Sequence, residues 1–383
     1  MAGLFLPSGI FGDKLDMAKL PQGVSITAKR TAGDGRVLTP KAIIFVAELS
    51  RAFESERQRL LGLRGERQRR FNRGDLPDFL AETSAIRAGS WRIAAIPSEL
   101  QDRRVEITAP TERRAMIEAF NSGAKTFAAG FESLSTWDDM IRGQINLMDR
   151  WTGKMEYIEP ITKKRHGLAG KPAVLLVQPR GLDLDETHMR AGGKPVAAGI
   201  FDFGLYFFHN AKTSCGRASG PYFHLAGLES HLEARLWNHI FVHAQSLLGL
   251  PLGTIKASVS IETIAAVFEM DEIIFELRDH MAGLRCGDAN AAGSALAVKT
   301  CHRRGCLSMA AQAMGPEQAA FLGHDGIGAD SPVAAQAFLQ AFNELMPTAN
   351  QLYVAGEDRP SARKELLASF TYAKSAKKIH RKG

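Results

Sequence analysis

"TIKASVSIETIAAVFEMDEIIFELRDHMAGLRCG", residues 254–287, decides the fold. It opens with "TIKASVSIET" (254–263), a short β-branched run bounded by turn residues, which predicts a strand. "TIAAVFEMDEIIFELRDHMAG" (263–283) then carries apolar residues at helical spacing, and "AGLRCG" (282–287) returns to a short apolar run. A strand, a helix and a second strand in this order predict a parallel pair with a helical crossover, buried on both faces.

The same alternation extends in both directions. Upstream, "RRVEITA" (103–109), "AKTFAAGFE" (124–132), "PAVLLVQP" (172–179) and "GPYFHLAGLES" (220–230) read as strands; downstream, "CLSMAAQ" (306–312) and "LGHDG" (322–326) follow. Helical patterns separate most of them, notably "SHLEARLWNHIFVHAQSLLG" (230–249). Eight such units predict an α/β chain of the (β/α)8 TIM-type barrel class, with its chemistry at the C-terminal ends of the strands.

The expected division is an N-terminal arm and long helix over 1–100, a barrel over 101–351, and a basic C-terminal tail over 352–383. Residues 1–36 are punctuated by Gly and Pro, as in a packed arm. "TPKAIIFVAELSRAFESERQRLLGLRGERQRR" (39–70) predicts one long helix with Thr39 as N-cap and Pro40 at its first position. "FNRGDLPDFLAET" (71–83) reads as a loop.

Of 383 residues, 45% are hydrophobic and 23% charged, with a formal charge of +7. Part of the excess lies in "RLLGLRGERQRR" (59–70), where Arg alternates with Glu and Gln as on a solvated helix face. "KSAKKIHRKG" (374–383) has no interleaved aromatic residues to stack on bases, so no nucleic-acid partner is expected. No stretch reaches the length of a membrane span, and four cysteines without a secretory leader predict a reduced, cytoplasmic setting.

Three of those cysteines, Cys286, Cys301 and Cys306, lie close together near His302, whereas Cys215 stands apart. Their spacing lacks the close ligand pairs of a structural zinc site, so they read as small apolar residues of a barrel wall. The aromatic run "FDFGLYFFHN" (201–210) likewise reads as core packing.

Two strand ends carry candidate chemistry. Glu262 closes the strand at 254–263, where a carboxylate can hold a hard cation or simply favour the start of the next helix. Gln178 and Arg180 close the strand at 172–179, where an Arg can bind a carboxylate or a developing oxyanion.

At "FDFGLYFFHNAK" (201–212), "SGPYFHLAGLESHLEARLWN" (219–238), the opening stretch and "KTCHRRG" (299–305), the chain resembles malate synthase, in its shorter A-type form. "LPDFLAET" (76–83) and "GHDGIGADSPVAAQAFLQAFNELMPTANQ" (323–351) extend the resemblance over roughly residues 38 to 351. The resemblance implies a (β/α)8 barrel that condenses acetyl-CoA with glyoxylate, with Mg2+, to give malate and CoA. A base takes a proton from the acetyl methyl, and Mg2+ and an Arg stabilise oxygens on which charge develops.

Position by position, the resemblance is uneven. Glu262 matches the first metal-binding Glu of the family, and Glu132 in "FES" matches the Glu of F-E-D, whose Asp is Ser133 here. The family's R-P-R-G-W-H reads "QPRGLD" (178–183), so its substrate-facing Arg falls on Gln178, with Arg180, two positions on, as a replacement. "IGAD" (327–330) stands where the family's GHDG is followed by Trp, Val, Ala and His on the acyl-CoA side of the pocket.

Between Cys286 and "KTCHRRG" an internal deletion is expected, which removes the family's second Mg2+ ligand and leaves Asp288 as a substitute two positions early. The expected barrel is therefore incomplete around strands six and seven. A missing helical C-terminal domain, with the Asp that serves as base, is expected as well; Asp358 has no match to it. Two readings stay open: an acyltransferase of this type with altered activity, or a catalytically inactive descendant that binds a ligand or partner.

Overall fold

The structure, a computed structural model, describes residues 20–286 apart from 30, 76, 104, 105 and 135, together with 304 and 307–309. The strand predicted at 322–326, Asp288, Cys301, Cys306, Asp358, most of the arm before residue 20 and the basic tail lie outside the described residues.

A short strand β1 (Val24–Ile26) and one turn of helix α1 (Asp34–Val37) lead into α2 (Pro40–Asn72). The Thr39 hydroxyl accepts the Ala42 N–H at 3.3 Å, and Pro40, which has no N–H to leave unpaired, occupies the first helical position. The short α3 (Ser84–Ala88) follows.

The barrel begins with β2 (Glu106–Pro110), α4 (Arg113–Phe120), β3 (Thr126–Gly130) and α5 (Trp137–Thr152). A small antiparallel pair, β4 (Glu156–Ile158) and β5 (Arg165–Gly167), precedes β6 (Val174–Gln178). A hairpin, β7 (Asp185–Ala191) and β8 (Lys194–Ala197), adds β1 as a third strand and feeds α6 (Ala198–Gly216). Then come β9 (Tyr222–Leu225), α7 (His231–Leu248), β10 (Lys256–Ile261), α8 (Ile264–Phe268), α9 (Met270–Glu276), β11 (Met281–Cys286) and β12 (Leu307–Met309).

Seven strands form one parallel sheet in the order β12-β11-β10-β9-β6-β3-β2. Each barrel strand therefore lies beside the next one along the chain, the order that a (β/α) barrel requires. Strands six and seven, β11 and β12, are hydrogen-bonded neighbours, with Gly283 opposite Leu307.

The sheet separates two apolar cores. The larger lies between strands and helices, where Phe203, Phe223, Trp237 and Phe241 pack ring against ring. The smaller joins Leu100, Leu176, Tyr222 and Ala282 from different strands and the segment before β2, as a plug on the inner face. The aromatic run at 201–210 lies in α6, buried along most of its length, so the packing reading holds.

Two local expectations change. The Arg-rich half of α2 is not simply a solvated face: Arg57 is fully buried against Asp185, Arg64 pairs with Glu233, and Arg67 pairs with Glu229. Only the opposite side, with Arg59 and Arg70, faces solvent. The helix expected over 263–283 is broken at Glu269, whose carboxylate turns away to accept the N–H of His231 at 2.8 Å and to pair with its Nδ1 at 2.6 Å.

Candidate active site

The C-terminal ends of β3, β6 and β10 bring together residues far apart in the chain. Gly130 of β3 lies opposite Gln178 of β6, which sets Glu132 beside the end of that strand. Glu262 follows β10 directly, ahead of Thr263, which caps α8 by accepting the Ala266 N–H at 3.2 Å. Glu262 is exposed, and its carboxylate takes a long 3.3 Å hydrogen bond from the Gly227 N–H, just past β9.

Glu132 and Glu262 are electrostatic neighbours. Partial burial of its carboxyl, and next the Glu262 charge, push Glu132 above the usual carboxylate range, with Asp183 adding to the effect; a hydrogen bond from Gln178 opposes it. Gln178 thus faces the carboxylates, but its amide supplies a dipole where a guanidinium would supply a fixed charge.

Arg180 does not face this pocket as a free cation. Its Nε and Nη2 donate to the two carboxylate oxygens of Asp202, each at 2.8 Å, and Nη2 also donates to Glu186 at 2.9 Å. Asp202, on the first turns of α6, is fully buried. Burial opposes the charge, yet Asp202 and Glu186 together hold the Arg180 guanidinium far above its ordinary value. Gly199 makes the approach of α6 possible, because a Cβ there would stand 2.6 Å from the Arg180 carbonyl oxygen.

Of the expected site residues, the structure brings Glu132, Gln178 and Glu262 together and sets Arg180 in a buried ion pair behind them; Asp288 lies outside the described residues. Sequence reading missed Asp183, Asp202 and Glu186. Asp183 stands inside the quoted "QPRGLD", but Asp202 is hidden in an aromatic run where no polar partner is expected. Among the described residues, no three His, Cys, Asp or Glu side chains are grouped to hold a metal ion.

A parallel α/β barrel with carboxylates at the C-terminal ends of its strands belongs to the class whose chemistry sits on that face. The model of the malate synthase TIM barrel domain matches residues 174–297, and that of the malate synthase N-terminal domain matches residues 22–85. The chain is 52% identical over 253 residues to malate synthase of Myxococcus xanthus, an alignment covering 66% of this chain and 47% of that one. It is 37% identical to malate synthase of Dictyostelium discoideum, covering 89% and 73%, and 38% identical to malate synthase A of Escherichia coli, covering 87% and 72%. The chain belongs to the malate synthase family. It spans about half the length of the first of these relatives and under three quarters of the other two.

Proposed function

We propose that this chain is a malate synthase-like acyltransferase that condenses acetyl-CoA with glyoxylate to malate, in the cytoplasm, as a step of the glyoxylate cycle. The observation that supports this most is the pair Glu132 and Glu262, carboxylates at the C-terminal ends of β3 and β10 in a malate synthase barrel, where partial burial and then the Glu262 charge raise the affinity of Glu132 for a proton.

That donor set fits a hard divalent cation. Its oxygens are carboxylate, its surplus charge is negative, and Mg2+ takes one or two protein carboxylates and keeps its other positions for water and substrate. Glu262 and Glu132 would hold Mg2+, with Asp288 as a further ligand. The ion would supply Lewis-acid stabilisation of a carbonyl oxygen that gains negative charge.

The chain's own residues orient the acceptor. The Gly227 N–H donates to Glu262, and the Gln178 amide steadies Glu132, where it would meet the carboxylate of a 2-oxo acid. Arg180 acts behind them, since its ion pair with Asp202 ties the turn after β6 to α6. Mg2+ titration calorimetry, with and without glyoxylate, tests the site: saturable binding weakened at least about tenfold by Glu262→Gln supports it, and no binding in either condition removes it.

A second reading, a catalytically inactive descendant that binds ligand or partner, draws on one observation. The position expected to carry the substrate-facing Arg holds Gln178, and the neighbouring Arg180 is committed to Asp202 and Glu186. Under that reading acetyl-CoA and glyoxylate yield no malate even at high protein concentration.

A further inference from the structure

Inside the barrel a polar layer lies beside the apolar plug. Glu106 begins β2 and accepts from the Thr126 hydroxyl of β3 at 2.8 Å. His224 of β9 bridges to β10, with Nδ1 on the Ser258 hydroxyl and Nε2 on that of Ser260, both at 2.8 Å. Arg285 of β11 reaches toward Glu106, its Nη1 3.8 Å from Oε1. Glu106, His224 and Ser258 are fully buried.

Arg103 enters this layer from the segment before β2. It is 2% exposed, and among the described residues its Nε, Nη1 and Nη2 have no hydrogen-bond partner; Glu106 Oε1 has none either. The charges of Arg103 and Arg285 both act on Glu106 and on His224, so these four groups share one space. Burial pushes His224, held between two serine hydroxyls, down to about 4, so it is neutral there, leaving among the described residues two guanidinium groups and a single carboxylate, a surplus of one positive charge. An uncompensated buried charge costs several kcal/mol, so such a layer calls for a counter-ion.

We infer that the barrel interior holds a binding site for a small monovalent anion of the halide class, formed by the Arg103 and Arg285 guanidinium groups beside the Leu176–Tyr222 plug. The charge surplus sets the valence, and a barrel core filled by side chains limits the size. The site uses none of the carboxylates of the candidate active site, and it does not rest on the proposed activity.

The test is thermal unfolding of the full chain in chloride, with gluconate making up constant ionic strength. The wild type gains a saturable rise of about 2 °C or more in Tm, and Arg103→Met loses the chloride-dependent part of it. An equal response of the two proteins, or none in the wild type, overturns the site. Should Arg103→Met fail to fold, anomalous scattering from wild-type crystals grown in bromide decides. A bromide peak within hydrogen-bond distance of Arg103 supports the site, and water alone there overturns it.

Discussion

Arg180 grips Asp202 with two parallel hydrogen bonds, Nε to Oδ2 and Nη2 to Oδ1, each 2.8 Å long. Asp202 also accepts the Arg180 backbone N–H at 3.0 Å. This bidentate pair joins the turn after the third barrel strand to the helix that leads to the fourth. Asp202→Ala leaves the guanidinium with Glu186 alone in a buried place, so the protein is expected to lose about 3 kcal/mol in urea unfolding. No loss would mean that the pair is solvated in solution.

Arg304 should behave in the same way, but at the other end of the barrel. Its guanidinium donates to Asp271 at 2.6 Å and to the carbonyls of Ile86 and Arg87 at 3.0 and 2.8 Å, and it lies over the Trp91 ring. One side chain thus ties the segment around α3 to α9. Arg304→Leu is expected to cost roughly 3–5 kcal/mol and to speed hydrogen exchange selectively over residues 86–93. Uniform exchange across the chain would contradict the tether.

Acid should weaken the fold through two histidines. Burial above all, with Arg285 and Arg103 adding to it, holds His224 down to about 4; burial and Lys256 hold His280 down to about 4 as well. The unfolded chain takes up these protons near pH 6.5, whereas the native state does not until about pH 4, so the unfolded state binds more protons between those limits. Stability is therefore fully present above about pH 6.5 and falls as the pH drops toward 4, by about 2 kcal/mol for each histidine at pH 5. Denaturant midpoints at pH 7 and pH 5 measure this, and His224→Asn should reduce the slope.

Seven of the expected strands lie within a few residues of where the structure has them, because buried parallel strands are continuous apolar runs with clear breaks between them, and the eighth, 322–326, lies outside the described residues. The start of α2 was legible to the residue, since Thr39 and Pro40 are local signals. The hairpin β7–β8 and helix α6 were not read, because α6 is apolar on nearly every side and shows no helical stripe. Glu262 and Gln178 were legible as polar residues that close predicted strands, and Glu132 only through the motif that surrounds it. Asp202, Arg103 and Arg304 were not, because charged residues are read as surface until a partner or a cavity is visible.

Gln178 separates the two functional readings. Gln178→Arg places a fixed charge beside Glu132, and a charge-assisted bond to a 2-oxo acid carboxylate is worth about 1.5–3 kcal/mol. The KM for glyoxylate is expected to fall about tenfold or more. An unchanged KM would mean that position 178 does not face the acceptor.

The most direct measurement of the proposed activity is CoA release from acetyl-CoA with glyoxylate and Mg2+, run with the wild type and with Glu262→Gln. The acyltransferase reading predicts CoA release that requires all three components and falls at least about 100-fold in Glu262→Gln, about 2.7 kcal/mol of lost transition-state stabilisation. No release by the wild type, or release that Glu262→Gln leaves unchanged, would contradict it.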